Sequence, residues 1–134
     1  MNTARAKPSG ASGAHSPEMG HACVLLVEDD AIVAMIVEQI LLDMELRVLV
    51  VSTLDYALVE VEIGNFDAAI IDMHLRGDHA DQLADALLLG KIPFMVLSGA
   101  DQSAFHAAHA DVPVLRKPFD KAELEQCVRG LLNS

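Results

Sequence analysis

Residues 67–78 read DAAIIDMHLRGD, and this stretch decides the fold. Its apolar run is too short for a helix that could bury itself, whereas its β-branched pair is typical of a strand covered on both faces. Asp72 stands where that run stops. A carboxylate at the end of a buried strand needs a partner or a use, so we expect Asp72 to belong to a functional site.

Composition excludes several classes of protein. The chain has 134 residues, of which 52% are hydrophobic, which is the size of one domain with a substantial core. Its apolar runs are far shorter than the roughly 18 residues that a membrane span needs, so we expect a soluble protein with no membrane partner. A formal net charge of −11 leaves no basic surface for phosphate backbones. We therefore also expect no nucleic-acid partner.

Cysteine and histidine spacings indicate neither a disulfide framework nor a transition-metal site. Cys23 and Cys127 lie far apart without a CxxC motif, as suits small, buried, inert thiols in a reducing cytoplasm. Four histidines fit no HExxH or paired-ligand spacing, namely His74, His79, His106 and His109.

The chain divides into an N-terminal segment and one domain. Residues 1–20 are rich in Ala, Ser, Gly and Pro and have no apolar stretch like that of a secretory signal, so they predict a disordered tail. The domain should occupy residues 21–134. Met19 precedes the first predicted strand, so translation starting there is an open alternative in which the preceding residues are not native.

From Ala22 onward, short apolar runs alternate with longer stretches of helical spacing. Strands are predicted at 23–28, 47–52, 68–72, 92–97 and 113–116, with five helices in the gaps and after the last strand. Such alternation at short connections implies right-handed crossovers and a parallel sheet with helices on both faces. The sequence therefore predicts an α/β protein with a doubly wound parallel sheet.

The first and last helices carry apolar residues at steps of three and four. In the first helix, predicted over 30–44, the positions with this spacing are Ile32, Met35, Ile36, Gln39 and Ile40. In the last, predicted over 121–132, they are Leu124, Cys127, Val128 and Leu131. We expect Asp120 to cap the last helix, with Glu123 completing a capping box.

Polar residues follow the strands at the edge where ligands bind in such sheets. If the strand order is 2-1-3-4-5, the first and third strands are neighbours about 4.8 Å apart, so Asp29 and Asp72 share a pocket bordered by Glu28. Carboxylates about 4 Å apart repel by roughly 4 kcal/mol per pair at an effective dielectric constant near 20. We therefore expect a cation among them. Asp30 is interpreted as a helix cap.

Four segments together resemble the receiver domain of bacterial two-component response regulators. They are VLLVEDD (24–30), AAIIDMHLRGD (68–78), FMVLSGAD (94–101) and VLRKPF (114–119). The similarity spans residues 23–132, with the motifs in the same order at successive strand ends. It implies a flavodoxin-like (βα)5 fold with strand order 2-1-3-4-5.

The resemblance also implies a role for each acidic residue of the pocket. Asp72 matches the aspartate that takes a phosphoryl group from a kinase phosphohistidine, a reaction that needs mainly alignment and charge neutralisation. Glu28 and Asp29 match the acidic pair that, with Asp72 and the backbone carbonyl of His74, holds Mg²⁺ through oxygen ligands.

The remaining matched residues lie after the fourth and fifth strands. Lys117 matches the lysine that places a positive charge on the phosphoryl oxygens. Pro118 matches a proline whose preceding peptide is usually cis. Ser98 matches the hydroxyl residue that bonds a phosphoryl oxygen and draws the loop after the fourth strand inward.

Two departures from the commonest receiver pattern limit the mechanism. Val114 stands where many receivers have a Tyr or Phe that swings inward on activation, so an aromatic switch is not expected. Only eighteen residues separate Ser98 from Lys117, which predicts a short helix at about 102–108 with little surface to bury.

The segment HLRGDHADQLADALLLGKIPFMVLSGAD (74–101) is similar to a receiver subgroup with a PFxFATGY-type fourth strand. Such receivers occur in stand-alone alphaproteobacterial regulators paired with HWE or related kinases, and Ser98 here replaces the usual threonine. The resemblance implies a sensor histidine kinase or phosphotransfer protein as donor. No output domain follows Ser134, so we expect a stand-alone receiver, not an enzyme, that signals to a downstream protein or serves as a phosphate sink.

Two other functions stay open. A Mg²⁺-dependent small-molecule phosphohydrolase also forms an aspartyl phosphate, but it generally has a second aspartate two residues after the nucleophile, where His74 stands. A flavin-binding electron carrier would need a phosphate-cradling loop after the first strand and an aromatic platform, whereas the chain has no Trp and only Tyr56.

Overall fold

The computed structural model describes residues 22–72, 80–99 and 111–133. Within these ranges the strands are β1 (Cys23–Val27), β2 (Arg47–Val51), β3 (Ala68–Asp72), β4 (Phe94–Ser98) and β5 (Val114–Arg116). The helices there are α1 (Ala31–Asp43), α2 (Leu54–Ile63), α3 (Ala80–Leu89) and α4 (Lys121–Leu132). Among these helices, none is both long and apolar enough to cross a bilayer. The expected tail and the helix expected at about 102–108 lie outside the described residues.

The five strands form one parallel sheet in the order β2-β1-β3-β4-β5, which confirms the predicted topology. The predicted strand ends differ by one or two residues. β4 begins at Phe94 because Pro93 has no N–H to donate to a neighbouring strand. It extends to Ser98, whose carbonyl accepts a hydrogen bond from the Lys117 N–H at 2.8 Å.

Two hydrophobic cores cover the two faces of the sheet. Helices α1 and α4 pack on one face, and α2 and α3 pack on the other. Successive residues of β3 alternate between them, with Ala68 and Ile70 in the first core and Ala69 and Ile71 in the second. Every position of β3 and β4 is buried, so no face of the central strands is open to water.

The predicted apolar face of α1 is wrong at most of its positions. Ile40 is buried, but the exposed fraction lies between 53% and 65% for Ile32, Met35 and Ile36. The buried face is formed by Ala34, Val37, Ile40 and Leu41. Because α1 is apolar on nearly all sides, a spacing of three and four residues fits more than one face. The face of α4 was predicted correctly for Leu124, Val128 and Leu131.

Acidic caps start two of the helices. Asp30 caps α1, since its Oδ1 accepts from the N–H groups of Ile32 at 2.9 Å and Val33 at 3.2 Å. Asp120 and Glu123 form the predicted capping box at the start of α4, with N–H to carboxylate distances of 2.8 and 2.9 Å.

Cys23 and Cys127 form no disulfide, as expected, but each is only half-buried. Burial raises the pKa of the Cys127 thiol, and the nearby Glu123 carboxylate raises it further. Less of this thiol is therefore ionised at neutral pH than for an exposed cysteine, which lowers its reactivity.

Candidate functional site

The carboxylates predicted to share a pocket do so. Strands β1 and β3 are hydrogen-bonded neighbours, so the residues after β1 lie beside Asp72 at the end of β3. One carboxylate oxygen from each of Glu28, Asp29 and Asp72 lies within 4.8 Å of the other two. The backbone of Glu28 is fixed by its N–H, which donates to the Val51 carbonyl at 3.0 Å.

This acidic cluster is largely shielded from water. Glu28 is 1% exposed and Asp72 2% exposed, while Asp29 is half-buried. Glu28 Oε2 accepts a hydrogen bond from the Asp30 N–H at 3.2 Å. Glu28 Oε1 is buried and has no hydrogen-bond partner among the described residues. A buried carboxylate oxygen without a donor is costly, so the cluster has capacity for a proton or a cation.

The electrostatics at Glu28 also indicate capacity for a proton or a cation. Desolvation by burial, together with the adjacent Asp72, raises the pKa of Glu28 from 4.5 to about 8. The Asp30 N–H and the charge of Lys117 lower this pKa, but they do not cancel the increase. The raised pKa favours the protonated form of Glu28 when no other cation reaches the cluster.

Lys117 brings a positive charge to the same pocket. Its Nζ lies 3.3 Å from Asp72 Oδ1, and the Asp72 side chain is buried. The residue follows β5, and its backbone N–H is hydrogen-bonded to β4, which directs the side chain over the end of the sheet. The peptide between Lys117 and Pro118 is cis, as expected.

Ser98 is buried at the end of β4, the strand next to β3. Asp72 pairs in register with Leu97, so Ser98 lies one residue beyond the level of Asp72 on the neighbouring strand. Val114 lies in β5 and packs against the core formed by α2 and α3. An aliphatic side chain at this position has no ring that could swing into the pocket.

The arrangement fits a hard divalent cation. Glu28, Asp29 and Asp72 offer only carboxylate oxygens, which Mg²⁺ prefers, and the buried Glu28 Oε1 is available for it. Partial exposure of Asp29 leaves a side from which an ion and its waters can enter. His74, whose carbonyl was predicted as a further ligand, lies outside the described residues, so that role stays a prediction.

Sequence reasoning missed one feature of the site. Asp30 was interpreted only as a helix cap, yet its backbone N–H also holds the carboxylate of Glu28. The same residue thus fixes the start of α1 and the orientation of a candidate metal ligand. Its position two residues after Glu28 was the available signal, since a side-chain oxygen can accept from a backbone N–H two residues on.

No protein-family model and no curated protein matches this chain. Solved structures do match. A response regulator receiver protein from Sinorhizobium medicae is 25% identical with a TM-score of 0.79, and the match covers 87% of this chain and 98% of that chain. SdrG from Pseudomonas melonis, in its BeF3-activated conformation, is 35% identical with a TM-score of 0.70, covering 82% of this chain and 95% of that chain.

A third match is the receiver domain of a sensor histidine kinase from Pseudomonas aeruginosa, solved with a magnesium ion in its active-site cleft. It is 23% identical with a TM-score of 0.76, and the match covers 85% of this chain and 99% of that chain. At this identity the similarity concerns the fold alone.

Proposed function

This chain belongs to the receiver domains of response regulators, and from that premise we propose that it is a single-domain response regulator of a two-component phosphorelay. In this proposal Asp72 accepts a phosphoryl group from a sensor histidine kinase or a phosphotransfer protein, with Mg²⁺ bound. Within the sensor histidine kinases, we propose the HWE class as the phosphoryl donor. The two cysteines, which form no disulfide, are compatible with a reducing compartment such as the cytoplasm.

One observation carries the proposal. One oxygen of the buried Asp72 carboxylate lies within 4.8 Å of an oxygen from each of Glu28 and Asp29, and Asp72 Oδ1 lies 3.3 Å from the Lys117 ammonium. Phosphoryl transfer requires little covalent chemistry from the protein, because it depends on alignment of the acceptor and neutralisation of the phosphoryl charge. An acceptor carboxylate that is close to both a cation and hard oxygen ligands meets both needs.

In the proposed transfer step, Asp72 is the nucleophile and Lys117 provides positive charge. The P–N bond of the donor phosphohistidine breaks and its electron pair stays on the imidazole nitrogen, while an oxygen of Asp72 bonds to phosphorus and gives an acyl phosphate. Lys117 then faces the phosphoryl oxygens instead of the unmodified Asp72 carboxylate. Glu28, Asp29 and Asp72 would hold Mg²⁺, which would supply further positive charge for the phosphoryl oxygens. The magnesium ion in the neighbour of the same fold supports this part of the proposal.

Ser98 is proposed to connect the modification to the output. Its position beside Asp72 on the adjacent strand makes its hydroxyl the candidate donor to a phosphoryl oxygen. Such a bond would draw the loop after β4 inward and change the face formed by β4, β5 and α4 that a downstream protein contacts. NMR spectra recorded with and without BeF₃⁻ test this step, and identical resonances for 98–99 and 111–117 would contradict it.

The decisive experiment is intact mass spectrometry after incubation with acetyl phosphate or phosphoramidate plus Mg²⁺. We expect the wild type to gain the mass of one phosphoryl group and Asp72→Asn to gain none. Asp55→Asn, which changes an exposed carboxylate on α2, is the matched control and should label like the wild type. Labelling that survives in Asp72→Asn would overturn the site assignment.

The alternative of a Mg²⁺-dependent phosphohydrolase uses the same pocket, and turnover separates the two. A receiver is modified once and dephosphorylates slowly, whereas a phosphohydrolase releases many phosphates per molecule from a small ester such as p-nitrophenyl phosphate. Multiple turnovers that depend on Asp72 would replace the proposed function by the alternative. A phosphate sink differs in another way, since it would drain the kinase without any partner recognising the modified face.

A further inference from the structure

Helix α2 carries an apolar stripe on its outer side. Tyr56, Val59 and Ile63 are 66%, 51% and 69% exposed, and their spacing of three and four residues places them on one face of the helix. The opposite side of α2 already supplies its share of the core through Leu54 and Ala57, which are buried. The three exposed side chains are therefore not needed to hold α2 on the sheet.

Acidic residues of α2 border this stripe, and the adjacent helix α3 adds further negative charge. Asp55 and Glu62 are exposed on α2 itself, and Asp81 and Asp85 are exposed on α3, which packs beside α2. The sequence has no lysine or arginine between Arg47 and Arg76, so no basic residue of α2 offsets these charges. The surface is thus an apolar strip within a negative field.

The apolar stripe and its acidic neighbours together restrict which partner could bind this surface. A second copy would place acidic flanks against acidic flanks, and three side chains supply only a fraction of the roughly 800 Å² per partner that a stable dimer buries. An anionic bilayer would be repelled for the same electrostatic reason. A single helix needs only a few apolar anchors at this spacing, and basic residues beside those anchors would meet the acidic border.

We propose that the α2 stripe of Tyr56, Val59 and Ile63 is a docking surface for an amphipathic helix of a partner protein whose apolar face is bordered by lysine and arginine. The stripe is on the outer side of α2, which covers the face of the sheet opposite α1 and α4. It includes no residue of the acidic cluster. This contact goes beyond the proposed function and does not depend on modification of Asp72.

The test uses the full chain and two synthetic helical peptides of equal length. One carries leucines at steps of three and four bordered by lysines, and its twin carries glutamates in place of the lysines. Binding is followed by fluorescence anisotropy, and the contact surface is mapped from amide chemical shifts. We expect the basic peptide to shift resonances of α2, with an affinity that falls as salt is raised, and the acidic twin not to bind.

Variants distinguish this surface from the other apolar ones. Val59→Ser and Ile63→Ser should each weaken binding of the basic peptide about tenfold. Leu89→Ser, which changes an exposed leucine of α3 outside the stripe, should leave it unchanged, and circular dichroism checks that each variant is folded. Equal binding of both peptides, shifts confined to α1, unchanged affinity in both stripe variants, or a dimer through α2 in sedimentation would each overturn the proposal. Asp72→Asn should bind the peptide normally even if phosphoryl labelling fails.

Discussion

Lys117 Nζ lies 3.3 Å from Asp72 Oδ1, although the two residues are 45 positions apart. Asp72 ends β3 and Lys117 follows β5, and these two strands are not neighbours in the sheet. β4 separates β3 from β5, so the lysine reaches across the end of one strand to meet the carboxylate. The contact needs the whole C-terminal half of the sheet to be assembled. It therefore reports on the fold as well as on the chemistry of the pocket.

Replacing this lysine should slow phosphorylation without moving the acceptor. Under the proposed function, Lys117→Ala removes the positive charge that would face the phosphoryl oxygens in the transition state, so we expect the labelling rate with phosphoramidate to fall roughly 100-fold. Lys121→Ala is the control, because that lysine is exposed and bridges Asp43 on the surface. Equal rates in wild type and Lys117→Ala would show that the 3.3 Å contact has no catalytic use.

Magnesium affinity should depend on Glu28. Glu28→Gln keeps the size of the side chain but removes a charged ligand oxygen, so the dissociation constant for Mg²⁺ should rise by about tenfold or more. Titration calorimetry measures it directly, with Glu62→Gln as an exposed control. If both variants bound Mg²⁺ like the wild type, the cluster would not be the metal site.

The metal-free protein should lose stability with rising pH because of Glu28. Its pKa is about 8 in the fold against an ordinary 4.5, so between these values the native state holds a proton that the unfolded chain releases. The free energy of unfolding attributable to this group therefore falls as pH rises through that window.

Urea unfolding in EDTA at pH 5 and pH 8 measures this effect. The wild type should lose on the order of 2–4 kcal/mol relative to Glu28→Gln between the two conditions. Added Mg²⁺ should stabilise the wild type more at pH 8 than at pH 5, since the metal competes with the proton. Parallel pH profiles for the two proteins would mean that Glu28 is not protonated in the fold.

The capping box of α4 gives a prediction about stability alone. Asp120→Ala removes the acceptor for the Glu123 N–H at 2.8 Å, so the free energy of unfolding should fall by about 1 kcal/mol. Asp85→Ala, at an exposed position within α3, should change it by much less. Urea midpoints at pH 7 compare the two, and a larger loss in Asp85→Ala would contradict the assigned cap.

The parts of the site that follow from the topology of the strands could be predicted from the sequence. Asp29 and Asp72 had to meet once β1 and β3 were neighbours in a parallel sheet, because both follow buried runs. The position of Lys117 came from the resemblance, since no local pattern tells which strand-end lysine turns inward. In the structure the Lys117 ammonium lies beside Asp72, in agreement with that resemblance.

Other features could not be predicted, for identifiable reasons. The buried face of α1 depends on how an almost wholly apolar helix rotates against the sheet, and only packing against Leu124 and Val128 of α4 and the strands decides that. The bond from the Asp30 N–H to Glu28 depends on a side-chain rotamer, which the spacing permits without requiring. The role of the His74 carbonyl stays a prediction.

Alternation along β3 has a consequence for how this protein can tolerate mutation. Asp72 has the same parity as Ala68 and Ile70, so it belongs to the register of residues that face α1 and α4. Deleting or inserting one residue inside β3 would invert that parity, exchange the two sets of core residues and turn the Asp72 carboxylate to the opposite side. A point substitution in this strand therefore changes the packing at one position, whereas a change in the length of the strand displaces every residue that follows it.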